Sequence, residues 1–207
     1  MDAHKLQLKI FATPTAARTA QPEAFIPVFH RWIRQRVLPE LVIDVANYLH
    51  VPEGPGVVLI GDGADYFMDQ GQGRLGLLYN RKRAGEAPAA RLQDLARRAL
   101  HAAALLEREP ALAGSLTFAT DELLFRINDR LAAPNTDATL AAVKPKLAEL
   151  ADRLFAGPVE LARVGGAKDL FAVRIKAAAG PPLARLLERV GGSSSSDGEL
   201  RAHDAAT

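Results

Sequence analysis

Two histidines and a carboxylate stand near one another in the first quarter of the chain: His30, Asp44 and His50. An imidazole pair with a carboxylate can hold a metal ion or move protons in general acid–base chemistry. Three further acids, Asp62, Asp65 and Asp69, follow downstream. Asp44 is the most informative of the group, because it sits between Ile43 and Val45 in a run that alternates like a strand. Its pleat direction is shared with Val42, Ala46 and Tyr48. If that face is covered, the carboxylate is buried and needs a partner; if the face is wet, Asp44 is an ordinary surface acid. His30 falls on the flank of an apolar helical stripe, where an imidazole packs its ring and wets its edge, and His50 falls in a loop. The spacing matches no metal motif, so no metal and no cofactor is expected. His30, Asp44 and His50 are the candidate catalytic residues, with plain structural duties as the competing reading.

A second polar group is Asn128-Asp129-Arg130, with Asn135 and Thr136 beyond it. Short polar residues between a strand and a helix N-terminus suit capture of a small anion, since Arg can bind two oxygens at once and the helix end favours negative charge. Asn128, Arg130 and Asn135 are the candidate anion-binding residues. An Asx turn, a helix cap and an Asp–Arg pair fixing the loop are the structural alternative.

Other chemistries are excluded or disfavoured. The run Val51-Pro52-Glu53-Gly54-Pro55-Gly56 enters a strand, whereas phosphate loops run from a strand into a helix. Counted from Asp62, the third and fifth positions are Ala64 and Tyr66, so the calcium-loop template fails. There is no Gly-x-Ser-x-Gly elbow, and Ser115 has no histidine near it in sequence. With no cysteine, the chain has neither a thiol nucleophile nor a disulfide.

The elements that must position these residues follow from periodicity. Leu6, Leu8 and Ile10 alternate with Lys5, Gln7 and Lys9, which predicts a strand with one wet face. After a Pro- and Ala-rich connector, Phe25, Ile26, Phe29, Trp32, Ile33 and Val37 make one helical stripe that starts near Glu23 or Ala24 and ends at Pro39. Strands are expected over Leu41–Tyr48, with Leu41, Ile43 and Val45 on one face, and over Val57–Ile60, Ala64–Met68 and Arg74–Asn80. The Asp62-Gly63 pair between two of them predicts a type I′ hairpin. A helix over Ala89–Glu109 follows, then a short strand Leu116–Phe118 paired around Thr120-Asp121 with a strand through Leu123–Ile127.

Asn135 or Thr136 caps a helix with the stripe Leu140, Val143, Leu147, Leu150 and Leu154, kinked or broken at Pro145. Strands Val159–Val164 and Leu170–Ala177 and a short helix Pro182–Val190 close the fold. The expected class is α+β: mainly antiparallel sheet packed by about four helices, over a first half at 1–110 and a second half at 111–191 packed as one globule. The order strand, helix, strands, helix occurs twice and admits an old duplication of a βαββα unit. Residues 192–207 are polar and low in complexity, and a disordered tail is expected there.

Bulk composition narrows partners more than it names them. Of 207 residues 48% are hydrophobic, enough for a packed core. Basic and acidic residues number 26 and 24, and residues 1–90 and 91–207 each carry a net +1. No basic half exists to drive nucleic-acid binding, and only Arg31/Arg34/Arg36 and Arg81/Lys82/Arg83 cluster. No run approaches the roughly 20 apolar residues of a membrane span, and the N-terminus has no secretory pattern. A cytoplasmic protein is expected. The leading functional expectation is a non-enzymatic binding or assembly module with a protein partner or self-association. The alternative is a small enzyme or ligand-binding domain centred on Asp44, His30 and His50.

Overall fold

The computed structural model describes residues 5–83, 90–112 and 114–191. Eight strands form one antiparallel sheet: β1 (Leu6–Ala12), β2 (Val42–Asn47), β3 (Val57–Gly61), β4 (Ala64–Asp69), β5 (Gly76–Arg81), β6 (Phe118–Ile127), β7 (Val159–Val164) and β8 (Phe171–Ala177). Their order across the sheet is β2-β3-β4-β5-β1-β6-β8-β7, so β2 and β7 are the edges and β1 and β6 lie side by side at the centre. Among the described residues five α-helices accompany them: α1 (Pro14–Thr19), α2 (Phe25–Gln35), α3 (Arg91–Glu107), α4 (Asp137–Leu154) and α5 (Leu183–Gly191). The architecture is α+β, as the alternation and stripe patterns predict. The expected tail at 192–207 lies outside the described residues.

The helices gather on one face. Helix α2 packs on β2 and β3, α3 on β1 and β5, α4 on β7 and β8, and α5 against α3 and α4. One hydrophobic core joins them to the sheet: Leu6, Leu8 and Ile10 of β1 lie under the alanine-rich side of α3, and Phe25, Phe29 and Trp32 of α2 continue the same core toward β2 and β3. The alanines at 96, 99, 102 and 103 are fully buried, so α3 approaches the sheet closely. The opposite face carries a smaller apolar cluster of strand residues, Phe11, Leu124 and Ala172 with Val164 against them.

Several expectations are corrected. Five helices replace four, because Thr13 caps a short helix: its hydroxyl accepts from the Ala16 N–H and Pro14 fills the first turn. Helix α2 ends before Pro39, at Arg36, whose left-handed conformation (φ 51°) stops the helix. The face of β1 expected to be wet is covered: Gln7 and Lys9 are buried, Lys9 completely. The β3–β4 hairpin forms, but neither Asp62 nor Gly63 has the positive φ of a type I′ turn. There Asp65 accepts from the Gly61 N–H and from Lys82 Nζ, and the Lys82 N–H donates to the Gly63 carbonyl, so neighbouring groups brace the turn.

Residues 118–127 are one strand and not a hairpin. A register shift against β1, between Ile10 and Ala12, absorbs the extra residues around Thr120-Asp121. Helix α4 is not split at Pro145, which faces solvent, where the carbonyl left without an N–H partner can be hydrated.

Candidate functional site

The polar residues that the structure assembles most fully surround Glu40, just before β2. Its carboxylate is buried and accepts from the Tyr66 hydroxyl (2.6 Å), the Tyr79 hydroxyl (3.1 Å) and Arg98 Nη1 (2.8 Å). Arg98 also grips Asp94, one turn earlier on α3, with Nε at 2.9 and 2.8 Å from its two oxygens. Arg97 and Arg81 reach the same Asp94 carboxylate, Arg81 Nη2 at 3.2 Å, while Arg81 Nη1 is buried with no hydrogen-bond partner among the described residues. Burial first, and then the Glu40 charge, push both tyrosines far above their ordinary ionisation range. They are therefore fixed hydrogen-bond donors and not acids. Burial opposes the charge on Arg98, but its bonds to Glu40 and Asp94 outweigh that and raise its pKa. The cluster ties the entry to β2 onto α3, β4 and β5 through three donors, Tyr66, Tyr79 and Arg98, that hold their protons firmly.

Beyond Glu40 the chain turns outward. Leu41 is 67% exposed and Ile43 59%, and past the strand Tyr48 and Val51 are 42% and 39% exposed. The register between β2 and β3 shifts between Val42 and Asp44, so Ile43 is the bulged residue. Val42 and Val45 therefore meet the helix-side core, and the expected stripe of Leu41, Ile43 and Val45 is broken. Asp44 faces the other side of the sheet and is exposed.

The backbone polar groups of this edge can be assigned. The Tyr48 N–H donates to the Gly56 carbonyl at 2.9 Å, and Asp44, Ala46 and Tyr48 alternate with Val45 and Asn47. In an antiparallel ladder alternate residues point to alternate sides, so Val45 and Asn47 direct their N–H and C=O groups away from β3. The outward Val45 N–H is taken by the Asp44 carboxylate, Oδ1 at 2.7 Å. A bulge and a charge beside an edge amide are devices that keep sheet edges from indiscriminate pairing.

The sequence candidates are placed as follows. His30 is exposed on the outer side of α2, Asp44 lies on the opposite face of the sheet, and His50 is exposed in the turn after β2. Among the described residues no hydrogen bond or ion pair joins any two of them, and no group of His, Asp and Glu could hold a metal ion. Asn135 and Arg130 are drawn to one loop, between β7 and β8. Asn135 Nδ2 donates to the Val164 and Gly166 carbonyls (2.9 and 3.0 Å), and Arg130 Nη1 donates to the Lys168 carbonyl (3.0 Å). Asn135 is buried, its Oδ1 without a partner among the described residues, whereas Asn128 is exposed and its N–H donates to the Lys5 carbonyl. The Thr136 hydroxyl caps α4 through the Thr139 N–H.

The basic clusters are largely committed to carboxylates. Arg81, Lys82 and Arg83 pair with Asp94, Asp65 and Asp62, and Arg31 pairs with Glu109, which also accepts from the Trp32 indole.

Sequence reading missed Glu40 and its partners, and it missed Lys9. The Lys9 ammonium is 2.5 Å from Asp69 and donates to the Arg74 carbonyl at 2.6 Å, on the face opposite the helices. Burial lowers its pKa, and the Asp69 charge opposes that. The signals were present but diffuse: two tyrosines spaced for one strand face each, and a single acid placed just after Pro39.

The fold and this edge define an α+β protein with an open antiparallel sheet, helices on one face and a partly guarded apolar edge. No family model matches the chain, and no characterised protein or solved structure matches it. Among the described residues no helix is long and apolar enough to cross a membrane.

Proposed function

We propose that this protein is a non-enzymatic binding and assembly module whose contact surface is the β2 edge and the turn that follows it. One observation carries the reading. Four of the five exposed large hydrophobic side chains among the described residues, Leu41, Ile43, Tyr48 and Val51, lie within one eleven-residue stretch; the fifth is Leu131. Single exposed apolar residues are ordinary, but their concentration along one sheet edge and its turn favours an interaction surface there. The Glu40 cluster supports the same reading, because it anchors the chain immediately before Leu41 and so presents the strip on a rigid support. A cysteine-free chain suits a reducing compartment, and the cytoplasm is the proposed location.

The two passes of the chain are read here as copies of one βαββα plan. In support, β1 and β6 begin the passes and pair with each other, β5 and β8 are their last strands and flank that pair, α3 and α5 close them, and α4 follows β6 as α2, after the short α1, follows β1. The first pass then carries the β3–β4 hairpin as an addition.

The test compares wild type with Leu41→Lys and Ile43→Lys for self-association by sedimentation and for retention of partner proteins on immobilised protein. Each lysine should weaken the contact about tenfold or more, as truncating or charging a central apolar anchor does, while His30→Ala leaves it unchanged. If wild type neither self-associates nor retains anything that the lysine variants lose, the reading is wrong.

A further inference from the structure

Resting on that reading of the β2 edge, we infer that its partner is a second copy of this chain, paired β2 to β2 about a two-fold axis through Ala46, and that Asp44 gates the pairing. The axis follows from three constraints on the edge itself. A two-fold perpendicular to the sheet sets residues of like facing opposite one another, so it must pass through a residue position. Only Val45 and Asn47 direct backbone groups outward, and they bond to each other across the axis when it passes through Ala46. Val45 N–H then meets the Asn47 carbonyl of the second copy and Asn47 N–H meets its Val45 carbonyl, twice over by symmetry. Ala46 meets its own copy as a close, non-hydrogen-bonded pair, where a small side chain fits.

Electrostatics excludes the axes nearer Asp44. An axis through Asp44 would oppose two carboxylates, and one through Val45 would bring them within about two residues. Through Ala46 the two Asp44 residues stand four positions apart along the strand direction, about 13 Å, and each lies opposite Tyr48 of the other copy. The regular ladder stops at the Ile43 bulge on one side and at the turn after Tyr48 on the other, so the two-fold brings the exposed Ile43 and Leu41 of one copy to the same end of the contact as the turn of the other, which carries Leu49 and Val51. Leu49 is half-buried against the core and offers its remaining surface.

The gate is the bond from the Val45 N–H to Asp44 Oδ1. That carboxylate must leave the amide before the second copy's carbonyl can take it, and the Tyr48 hydroxyl of the second copy is the donor that receives it. The edge therefore refuses a strand that cannot offer a donor at that position, while it accepts its own copy. The result is one continuous sheet with a closed, isologous contact.

The test uses the full chain. Sedimentation should show a monomer–dimer equilibrium, weakened about tenfold or more by Ile43→Lys. Asn47→Pro, which removes one outward N–H at an edge position that tolerates proline, should weaken it comparably without loss of fold by circular dichroism. Because the protein has no cysteine, Ala46→Cys provides a readout of register: opposed Cα atoms about 4.5 Å apart permit a disulfide across the axis. Ala46→Cys should form a disulfide dimer under mild oxidation, and Asn47→Cys should not. A dimer that crosslinks through Asn47→Cys and not Ala46→Cys would overturn the register. A monomeric wild type whose retained partner protein is lost with Ile43→Lys would overturn self-pairing and leave the binding surface standing. A monomer with no such partner would remove both.

Discussion

Replacing Glu40 by alanine takes away the one acceptor that Tyr66, Tyr79 and Arg98 share. Each tyrosine hydroxyl is buried with its ring, and leaving such a donor unpaired costs about 1–3 kcal/mol. Arg98 loses its second carboxylate but keeps Asp94, so its penalty falls at the lower end of the roughly 3–5 kcal/mol for breaking a buried pair. The three losses overlap, because the cavity left by the side chain lets the hydroxyls reach one another or a water molecule. About 4 kcal/mol is the expected total. Native proteins are stable by only about 5–15 kcal/mol, so this is a large fraction.

For a chain of this size, about 2–4 °C of Tm per kcal/mol gives a fall of roughly 8–16 °C in a calorimetric melt. Glu40→Gln, which retains an acceptor oxygen but not the charge, should fall between wild type and alanine. In a double-mutant cycle with Arg98→Met the two losses should be clearly less than additive. Hydrogen exchange should quicken at the β2 amides before it quickens in β1. A Glu40→Ala protein melting within about 2 °C of wild type would refute the claim that this cluster holds the entry to the edge strand.

Other consequences follow from the ionisable groups. Tyr66 and Tyr79 are two of the three tyrosines, and their folded pKa values lie above the unfolded value near 10. Their stabilisation is complete below that value and is lost as pH rises past it, so alkaline unfolding and tyrosinate absorbance should appear together in a spectrophotometric titration. Burial lowers the His101 pKa, so the unfolded chain takes up a proton more readily as pH falls through about 6.5. Urea midpoints should drop between pH 7 and 5.5, and His101→Phe should flatten that interval.

Asp121 and Glu122, held below their ordinary values mainly by hydrogen bonds from Lys176 and Arg74, add a second loss as pH falls through and below the carboxylate range. Lys9→Met strands Asp69 in a buried site and should cost about 3–5 kcal/mol. Lys9→Met with Asp69→Leu should recover most of that, and a double variant no better than the single would show that the pair is not the source.

Much of the fold was legible because most elements have one apolar stripe. The stripe of α2, the leucines of α4 and the alternation of Phe171, Val173 and Ile175 each leave one arrangement open. What escaped depends on neighbours distant in sequence. Lys5, Gln7 and Lys9 look like a wet face in isolation, yet β1 is a central strand flanked by β5 and β6. Lys9 is buried there because Asp69, sixty residues away, supplies its counter-charge. The single strand at 118–127 was hidden for a similar reason. Thr120-Asp121 has turn chemistry, and only the length of β1 beside it decides that the chain continues instead of reversing. The Asp62-Gly63 turn was correctly placed but wrongly typed, since its geometry is set by Asp65 and Lys82 and not by the dipeptide alone.

Asp44 shows most plainly how a local pattern can single out a residue and mislead about its surroundings. Strict alternation put Leu41, Ile43 and Val45 on one side and left Asp44 as a polar intrusion in an apolar strand, which is the signature of a buried functional acid. A one-residue bulge at Ile43 changes the arithmetic. Val42 and Val45 both reach the core, Ile43 is expelled, and Asp44 turns to the far face beside the open edge. The acid is then explained by what it does to the backbone, because it occupies an amide that would otherwise be free to recruit any strand. Under the self-pairing inferred above, Asp44 serves the edge backbone as a guard, and it stands where an exposed apolar edge most needs one.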